Sequence, residues 1–185
     1  MRLFVAVPLP LPTQALLRRF TTDIASRYPE FRWTNPSHLH ITLKFLGEVD
    51  DVTADAARTA LGSVSPCPPV ALQFGKLIRL GSPDRQVMAL ELKGDVDQLA
   101  DYQANLDAAF ARLGFEKENR KFLPHVTIGR SKRDAPKVPV ARQTDLGPKG
   151  WFTVSAIHLM KSTLGEPEPV YETLLRIPML NRVDL

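Results

Sequence analysis

The stretch His-Leu-His-Ile-Thr-Leu-Lys-Phe-Leu-Gly (38–47) alternates as a strand does, and it has a shorter counterpart in Pro-His-Val-Thr-Ile-Gly-Arg (124–130). Both contain His-x-Thr: His40-Ile41-Thr42 and His125-Val126-Thr127. Successive side chains of a strand point to opposite faces, so within each triplet the His and the Thr share a face. The chain has 4 histidines. Two of them in one local pattern predict a pair of imidazoles and a pair of hydroxyls aimed at a single ligand. On the first strand, read from about 38 to 46, strict alternation puts His40, Thr42 and Lys44 on the working face and Ile41, Leu43 and Phe45 on the packing face.

From His40 to His125 the offset is 125 − 40 = 85 residues. Shifting Leu3–Val7 by 85 lands on Met88–Leu92, and shifting Val70–Phe74 lands on Ser155–Leu159, all apolar and strand-like. A helix follows each opening strand. The first has Thr13 as its cap and Leu16, Leu17, Phe20, Ile24 and Tyr28 on one side, and stops before Pro29. The second carries Val96, Leu99, Tyr102, Leu106, Phe110 and Leu113, and Gly114 ends it. A weaker helix, capped by Asp50 or Asp51, has the stripe Val52, Ala56, Ala60 and Val64. Phe152–Lys161 and Tyr171–Pro178 read as a closing hairpin, and 131–150 shows no periodicity. Strand, helix, motif strand, connection, strand thus occurs twice. The expectation is a single domain over 1–185 made of two pseudo-repeats, about 1–84 and 85–185, which would set the two motifs across from each other.

Composition limits what this domain can be. With 185 residues, 44% of them hydrophobic, the chain can bury a core. The apolar start Met1–Val7 is too brief for a signal segment and meets Pro8, Pro10 and Pro12, and no apolar run is long enough to span a membrane. The expected location is the cytoplasm, with no membrane partner. A lone Cys67 excludes an internal disulfide and reads as a packing residue. The net charge is +4, but around the second motif Lys117, Arg120, Lys121, Arg130, Lys132, Arg133 and Lys137 outnumber three acids. Such a collar suits a phosphate-bearing ligand and makes its binding salt-dependent, although a solvated face would look the same.

Imidazole titrates near pH ~6.5, so of two facing rings one can be a neutral base and the other a protonated acid. On a phosphodiester the base would take a proton from attacking water, the acid would give one to the departing ribose oxygen, and the threonines would donate to the non-bridging oxygens. That chemistry asks for no metal and no cofactor. His38 with His40 forms a His-x-His, which on a strand could hold zinc, but only His40 has a partner in the repeat and no carboxylate or cysteine is near. His158 reads as structural or surface. Trp33, in Phe-Arg-Trp-Thr-Asn-Pro (31–36), is a core-edge residue or a flat surface for a base.

With its two His-x-Thr motifs, and with Arg-Leu-Phe-Val-Ala (2–6), Leu-Gly-Phe (113–115) and Pro-Val-Tyr-Glu-Thr-Leu (169–174), the chain resembles the 2H phosphoesterase superfamily. The likeness is greatest to its RNA 2′,3′-cyclic phosphodiesterase branch, also called LigT or 2′-5′ RNA ligase. The resemblance implies a bilobal α+β fold in which two antiparallel sheets flank a central cleft. It implies opening of a terminal 2′,3′-cyclic phosphate of RNA to a 2′-phosphomonoester, with a possible reverse 2′-5′ joining. His40 and His125 carry over as the catalytic pair, with His125 expected as base and His40 as acid, and Thr42 and Thr127 as phosphate binders. Arg130 matches a basic position of the family, yet strict alternation turns it away from His125's face. Many relatives carry a tryptophan at about Ala89, so Trp33, Phe45 or Tyr171 would have to offer the stacking surface. The implied partner is an RNA end or a small nucleotide, and the expected state is a monomer. Rival readings are a noncatalytic RNA-end or nucleotide-binding module, and an enzyme of the same chemistry acting on another cyclic phosphate or on a 2′-5′ oligonucleotide.

Overall fold

The computed structural model describes residues 1–82, 84–132, 147–165 and 168–180. Most of the unpatterned connection, with Arg133 and Lys137 of the basic window, lies outside the described residues. In chain order the elements are β1 (Arg2–Pro8), α1 (Leu11–Ala25), β2 (Phe31–Trp33), a 3-10 turn (Pro36–His38), β3 (His40–Glu48), α2 (Asp51–Ser63), β4 (Val70–Ser82) and β5 (Arg85–Gly94). They continue with α3 (Val96–Ala111), β6 (His125–Ser131), β7 (Trp151–Val154), β8 (Ala156–Thr163) and β9 (Val170–Pro178).

The fold is α+β, as expected, but the two expected sheets are halves of one antiparallel sheet in the order β7-β4-β5-β6-β3-β1-β8-β9, with β2 also on β6. The halves join between β6 and β3, where among the described residues the paired positions are Ile41 and Val126. So thin a seam lets the strands splay on either side of it. β4 lies beside β5 and β2 beside β6, while β8 lies beside β1 and β9 beside β8, so each sheet half takes two strands from the other half of the chain.

β1 explains how two layers form. Leu3, Val5 and Val7 enter the main core with Leu17 and Ile24 of α1, Ala54, Ala57 and Leu61 of α2, and Leu99, Leu106 and Phe110 of α3. Phe4 and Ala6, on the alternate face, join Met160 and Tyr171 in a small second cluster. The helices therefore cover one side of the sheet, and the cleft opens on the other.

Several local expectations give way to packing. α1 begins at Leu11 with Pro12 in its first turn and no side-chain cap, so Thr13 is buried inside the helix and caps nothing. Proline suits that turn because its missing N–H has no intrahelical acceptor to satisfy. Asp50 does cap α2, accepting from the Thr53 N–H at 2.8 Å. Leu61, however, turns the Ala54/Ala57/Leu61 face inward and leaves Val52 80% exposed, so the stripe 52/56/60/64 is not the packed one. Leu113 is 40% exposed, beyond the end of α3, and Gly114 takes φ +88° as the terminator. The strand read over 152–161 breaks at Ser155: β7 pairs with β4 and β8 with β1, and the Ser155 carbonyl accepts instead from Met179 N–H at 2.8 Å. β3 starts at His40, because Pro36 opens a 3-10 turn that ends with His38. β6 starts at His125, after Pro124, which has no N–H to give a ladder.

Candidate active site

The seam decides the site. Ile41 and Val126 are the middle residues of the two triplets, both fully buried on the core side. Their flanking histidines and threonines therefore point to the cleft side. In an antiparallel pair with 41 opposite 126, position 40 comes opposite 127 and 42 opposite 125, so each histidine stands across from the other strand's threonine. His40, Thr42, His125 and Thr127 all line one open cavity of about 1050 Å³, together with Trp33, His38, Lys44, Phe45, Arg130, Glu168 and Tyr171.

The two histidines are oriented in the same way. His40 Nδ1 donates to the His38 carbonyl at 2.7 Å, and His125 Nδ1 donates to the Leu123 carbonyl at 2.7 Å. A carbonyl can only accept, so each Nδ1 carries the hydrogen and each Nε2 is left for the cleft. The chain before each strand is tied down alike: the Leu39 carbonyl accepts from Leu9 N–H at 3.4 Å and the Pro124 carbonyl from Leu92 N–H at 3.1 Å. Ala6 stands opposite Thr42, and Ala89 opposite Thr127. A methyl beside each hydroxyl leaves it room toward the cleft. These pairs correct the repeat spacing. The motif strands are 85 residues apart, but the opening strands match at 89 − 6 = 83.

Alternation fails beyond the threonines, and for the same reason in both strands. Val5 and Ala6 pair with Lys44 and Thr42, leaving Leu43 as an extra residue; Met88 and Ala89 pair with Gly129 and Thr127, leaving Ile128 extra. Each extra residue is a bulge that reverses the faces that follow. Lys44 therefore goes inward, 7% exposed, where its Nζ bonds the Asp107 carboxylate and donates to the Glu116 carbonyl at 2.8 Å. Phe45 goes outward, 64% exposed. The faces assigned to these two residues by strict alternation are thus exchanged. The second bulge likewise brings Arg130 onto the cavity wall, and its positive charge is felt at His40 and Tyr171.

Burial pushes the His40 pKa below 6.5, and the positive charges of Arg130, His38 and His125 lower it further against its backbone hydrogen bond. Tyr171 stands edge-on to His40, ring centroids 5.6 Å apart, and to His38 at 5.2 Å, while Phe4 packs against His40 at 5.0 Å. Burial raises the Tyr171 pKa. Trp33 is half-buried over Gly129, where a Cβ would stand only 3.2 Å from the indole Cε3. Ala89, fully buried, offers no stacking surface. His158 bonds Thr173 through Nδ1 at 3.1 Å and is not part of the cavity wall.

Two features escaped the sequence reading. Glu168 Oε2 lies 3.2 Å from His38 Nδ1, and its Oε1 accepts from Asn35 N–H at 3.3 Å, so a carboxylate distant in sequence does stand beside the His-x-His. Asp107 is the partner of Lys44. Gln103 and Asp107 on the otherwise apolar side of α3, facing a lysine inside an apolar strand, were the available signal. No group of three or more metal-ligating side chains is found among the described residues. Nor is any described helix long and apolar enough to cross a membrane.

Comparison with known proteins bears on the family and the fold. The family model described as the 2′-5′ RNA ligase superfamily matches residues 9–166. An RNA 2′,3′-cyclic phosphodiesterase of Geobacillus stearothermophilus is 30% identical over 98% of the chain, which spans 58% of that relative's length. One of Methanocaldococcus jannaschii is 27% identical, covering 94% of this chain and 98% of the relative. The crystal structure of E. coli LigT complexed with 3′-AMP superposes with a TM-score of 0.77 at 24% identity, covering 97% of this chain and 98% of that one. That likeness bears on the fold.

Proposed function

The chain belongs to the 2′-5′ RNA ligase superfamily, and from that premise we propose that it is a cyclic phosphodiesterase which opens a terminal 2′,3′-cyclic phosphate of RNA to a 2′-phosphomonoester. The observation that carries the reading is the matched pair of histidines on one cavity, each fixed through Nδ1 so that Nε2 is free for proton transfer. Water attacks phosphorus and gives its proton to His125 Nε2. The bond from phosphorus to the ribose 3′ oxygen breaks, and that oxygen takes a proton from His40 Nε2. Thr42 and Thr127 donate to the non-bridging oxygens, where charge collects. Solvent then returns the rings to their starting states. The relatives bearing the name RNA 2′,3′-cyclic phosphodiesterase support the substrate, and the like pairing of the two triplets with their neighbouring strands supports one domain of two pseudo-repeats. The same reading has the protein act as a monomer in the cytoplasm, without a metal, with 2′-5′ joining as the reverse reaction.

The test is incubation in EDTA with an RNA ending in a 2′,3′-cyclic phosphate. Wild type turns it over, while His40→Ala and His125→Ala each lose about 10²- to 10⁴-fold, as removal of a general acid or base does. Metal dependence, or full activity in either variant, defeats the two-histidine scheme. A p-nitrophenyl phosphodiester, whose leaving group needs no proton, should restore turnover to His40→Ala and not to His125→Ala. The opposite rescue exchanges the two roles.

A further inference from the structure

Lys44 is buried, and its ion pair with Asp107 does more than satisfy two charges. Lys44 Nζ also donates to the Glu116 carbonyl at 2.8 Å, and Asp107 Oδ2 accepts from the Glu118 N–H at 3.2 Å. The pair therefore grips the 115–121 loop at two backbone points, from β3 on one side and α3 on the other. Breaking one partner would leave the other charge buried and the loop unheld. The loop forms one rim of the cavity that holds both triplets.

What the grip presents is a surplus of positive charge, three bases against the exposed carboxylates of Glu116 and Glu118 on the same cavity wall. Lys117, Arg120 and Lys121 are exposed and on the cavity rim, and none of the ion pairs formed among the described residues uses them. The Glu118 carboxylate is turned onto the loop's own backbone, accepting from Arg120 N–H at 3.1 Å. The cavity volume, about 1050 Å³, is at the upper end of the roughly 300–1,000 Å³ of small-molecule pockets, so one nucleotide at the triplets leaves the rim unfilled.

We propose that the Lys44–Asp107 pair positions loop 115–121 as a second phosphate-binding rim, which takes the internucleotide phosphates of the RNA strand next to the reacting end. This rests on the phosphodiesterase reading and adds to it: the molecule prefers a strand to a mononucleotide. Lys44 and Asp107 are positioning residues, since they act through the loop and touch no substrate.

The experiment compares a nucleoside 2′,3′-cyclic phosphate with a four-nucleotide RNA ending in the same group, over a range of salt. Wild type should show a lower KM for the tetranucleotide, with log KM rising with log salt. In the Lys117→Ala/Arg120→Ala/Lys121→Ala variant, the ratio of kcat/KM for tetranucleotide over mononucleotide should fall at least about tenfold. Its salt slope should drop by roughly 2, since each phosphate contact on a single strand contributes about 0.7. Asp107→Asn, and Lys44→Met where it folds, should reduce the same ratio through KM and expose the loop to protease. A purely structural role would lower kcat for both substrates alike. An equal loss on both, or an unchanged ratio in the triple variant, overturns the proposal. Should wild type turn over neither substrate, the phosphodiesterase reading fails. Fluorescence anisotropy of a labelled tetranucleotide with a 3′-phosphate end still decides the rim, because the triple variant must weaken that binding for the proposal to stand.

Discussion

β3 and β6 are built alike from the histidine to the bulge and differently after it. Up to that point each supplies a ring held through Nδ1, a buried aliphatic residue, a threonine beside an alanine, and one extra residue, Leu43 or Ile128. Next come Lys44 against Gly129, then Phe45 against Arg130. The acid–base chemistry proposed for phosphorus needs two similar hands, and in that scheme the shared segment supplies them. A nucleotide has a base at one end and phosphates at the other, and the unshared part can tell these ends apart. An apolar ring stands at one bulge exit and a guanidinium at the other, so the two ends of the cleft differ in chemistry.

Breaking that difference should cost more on the charged side. Arg130→Ala removes the cation whose field reaches His40, and its expected loss in kcat/KM is about 10²-fold, the scale of one electrostatic donor at developing phosphate charge. Phe45→Ala removes an exposed aromatic ring; base stacking on such a ring is worth about 1–3 kcal/mol per base, so the variant should raise KM rather than lower kcat. Steady-state kinetics on a cyclic-phosphate end checks both. Equal effects on kcat from the two variants would mean that the bulge exits do not sort phosphate from base.

The inward positions sharpen the comparison through stability. A Cβ at position 129 would stand 3.2 Å from Trp33 Cε3 and 3.3 Å from the Arg32 carbonyl, too close for the indole to stay where it is. Gly129→Ala is expected to cost about 1–3 kcal/mol, as overpacking does, read as a lower midpoint in urea. An unchanged midpoint would mean that β2 can lift from β6 without penalty, and that Trp33 is not held as a wall of the cleft.

How much of this was legible depended on range. The triplets, the three helices and Gly114 as a terminator follow from local rules, and the structure keeps them. The face of Lys44, Phe45 and Arg130 did not follow, because a bulge is set by register against a partner strand; nothing in Thr-Leu-Lys-Phe or Thr-Ile-Gly-Arg announces it. The 85-residue offset held for the motif strands and slipped to 83 for the opening ones for the same reason. The split at Ser155 was hidden because an apolar run reads as one strand whether it serves one sheet half or two. Asp107 and Glu168 lie far in sequence from the residues they meet, Lys44 and His38. Periodicity marks Asp107 as a polar residue on the apolar side of α3, but it names no partner for it, and nothing local points to Glu168.

The smallest expected effect lies in the histidines themselves. His40 packs against both Phe4 and Tyr171, and burial holds its pKa below the ordinary 6.5. Over the window from 6.5 down to that lowered value, the unfolded chain binds the proton more readily than the folded one. This site's contribution to stability is therefore present above 6.5 and lost as pH falls through the folded pKa. NMR titration of the His40 ring should give a midpoint below 6.5 in the free protein, moving upward when inorganic phosphate binds; a midpoint at or above 6.5 without ligand would mean that the ring is not desolvated. If His40 is the acid, its working form is the minor one at neutral pH, and the anionic phosphate must restore the proton that burial removes. One limb of the kcat/KM profile then lies below 6.5 whichever ring is acid, since the profile records both free pKa values without saying which belongs to which role.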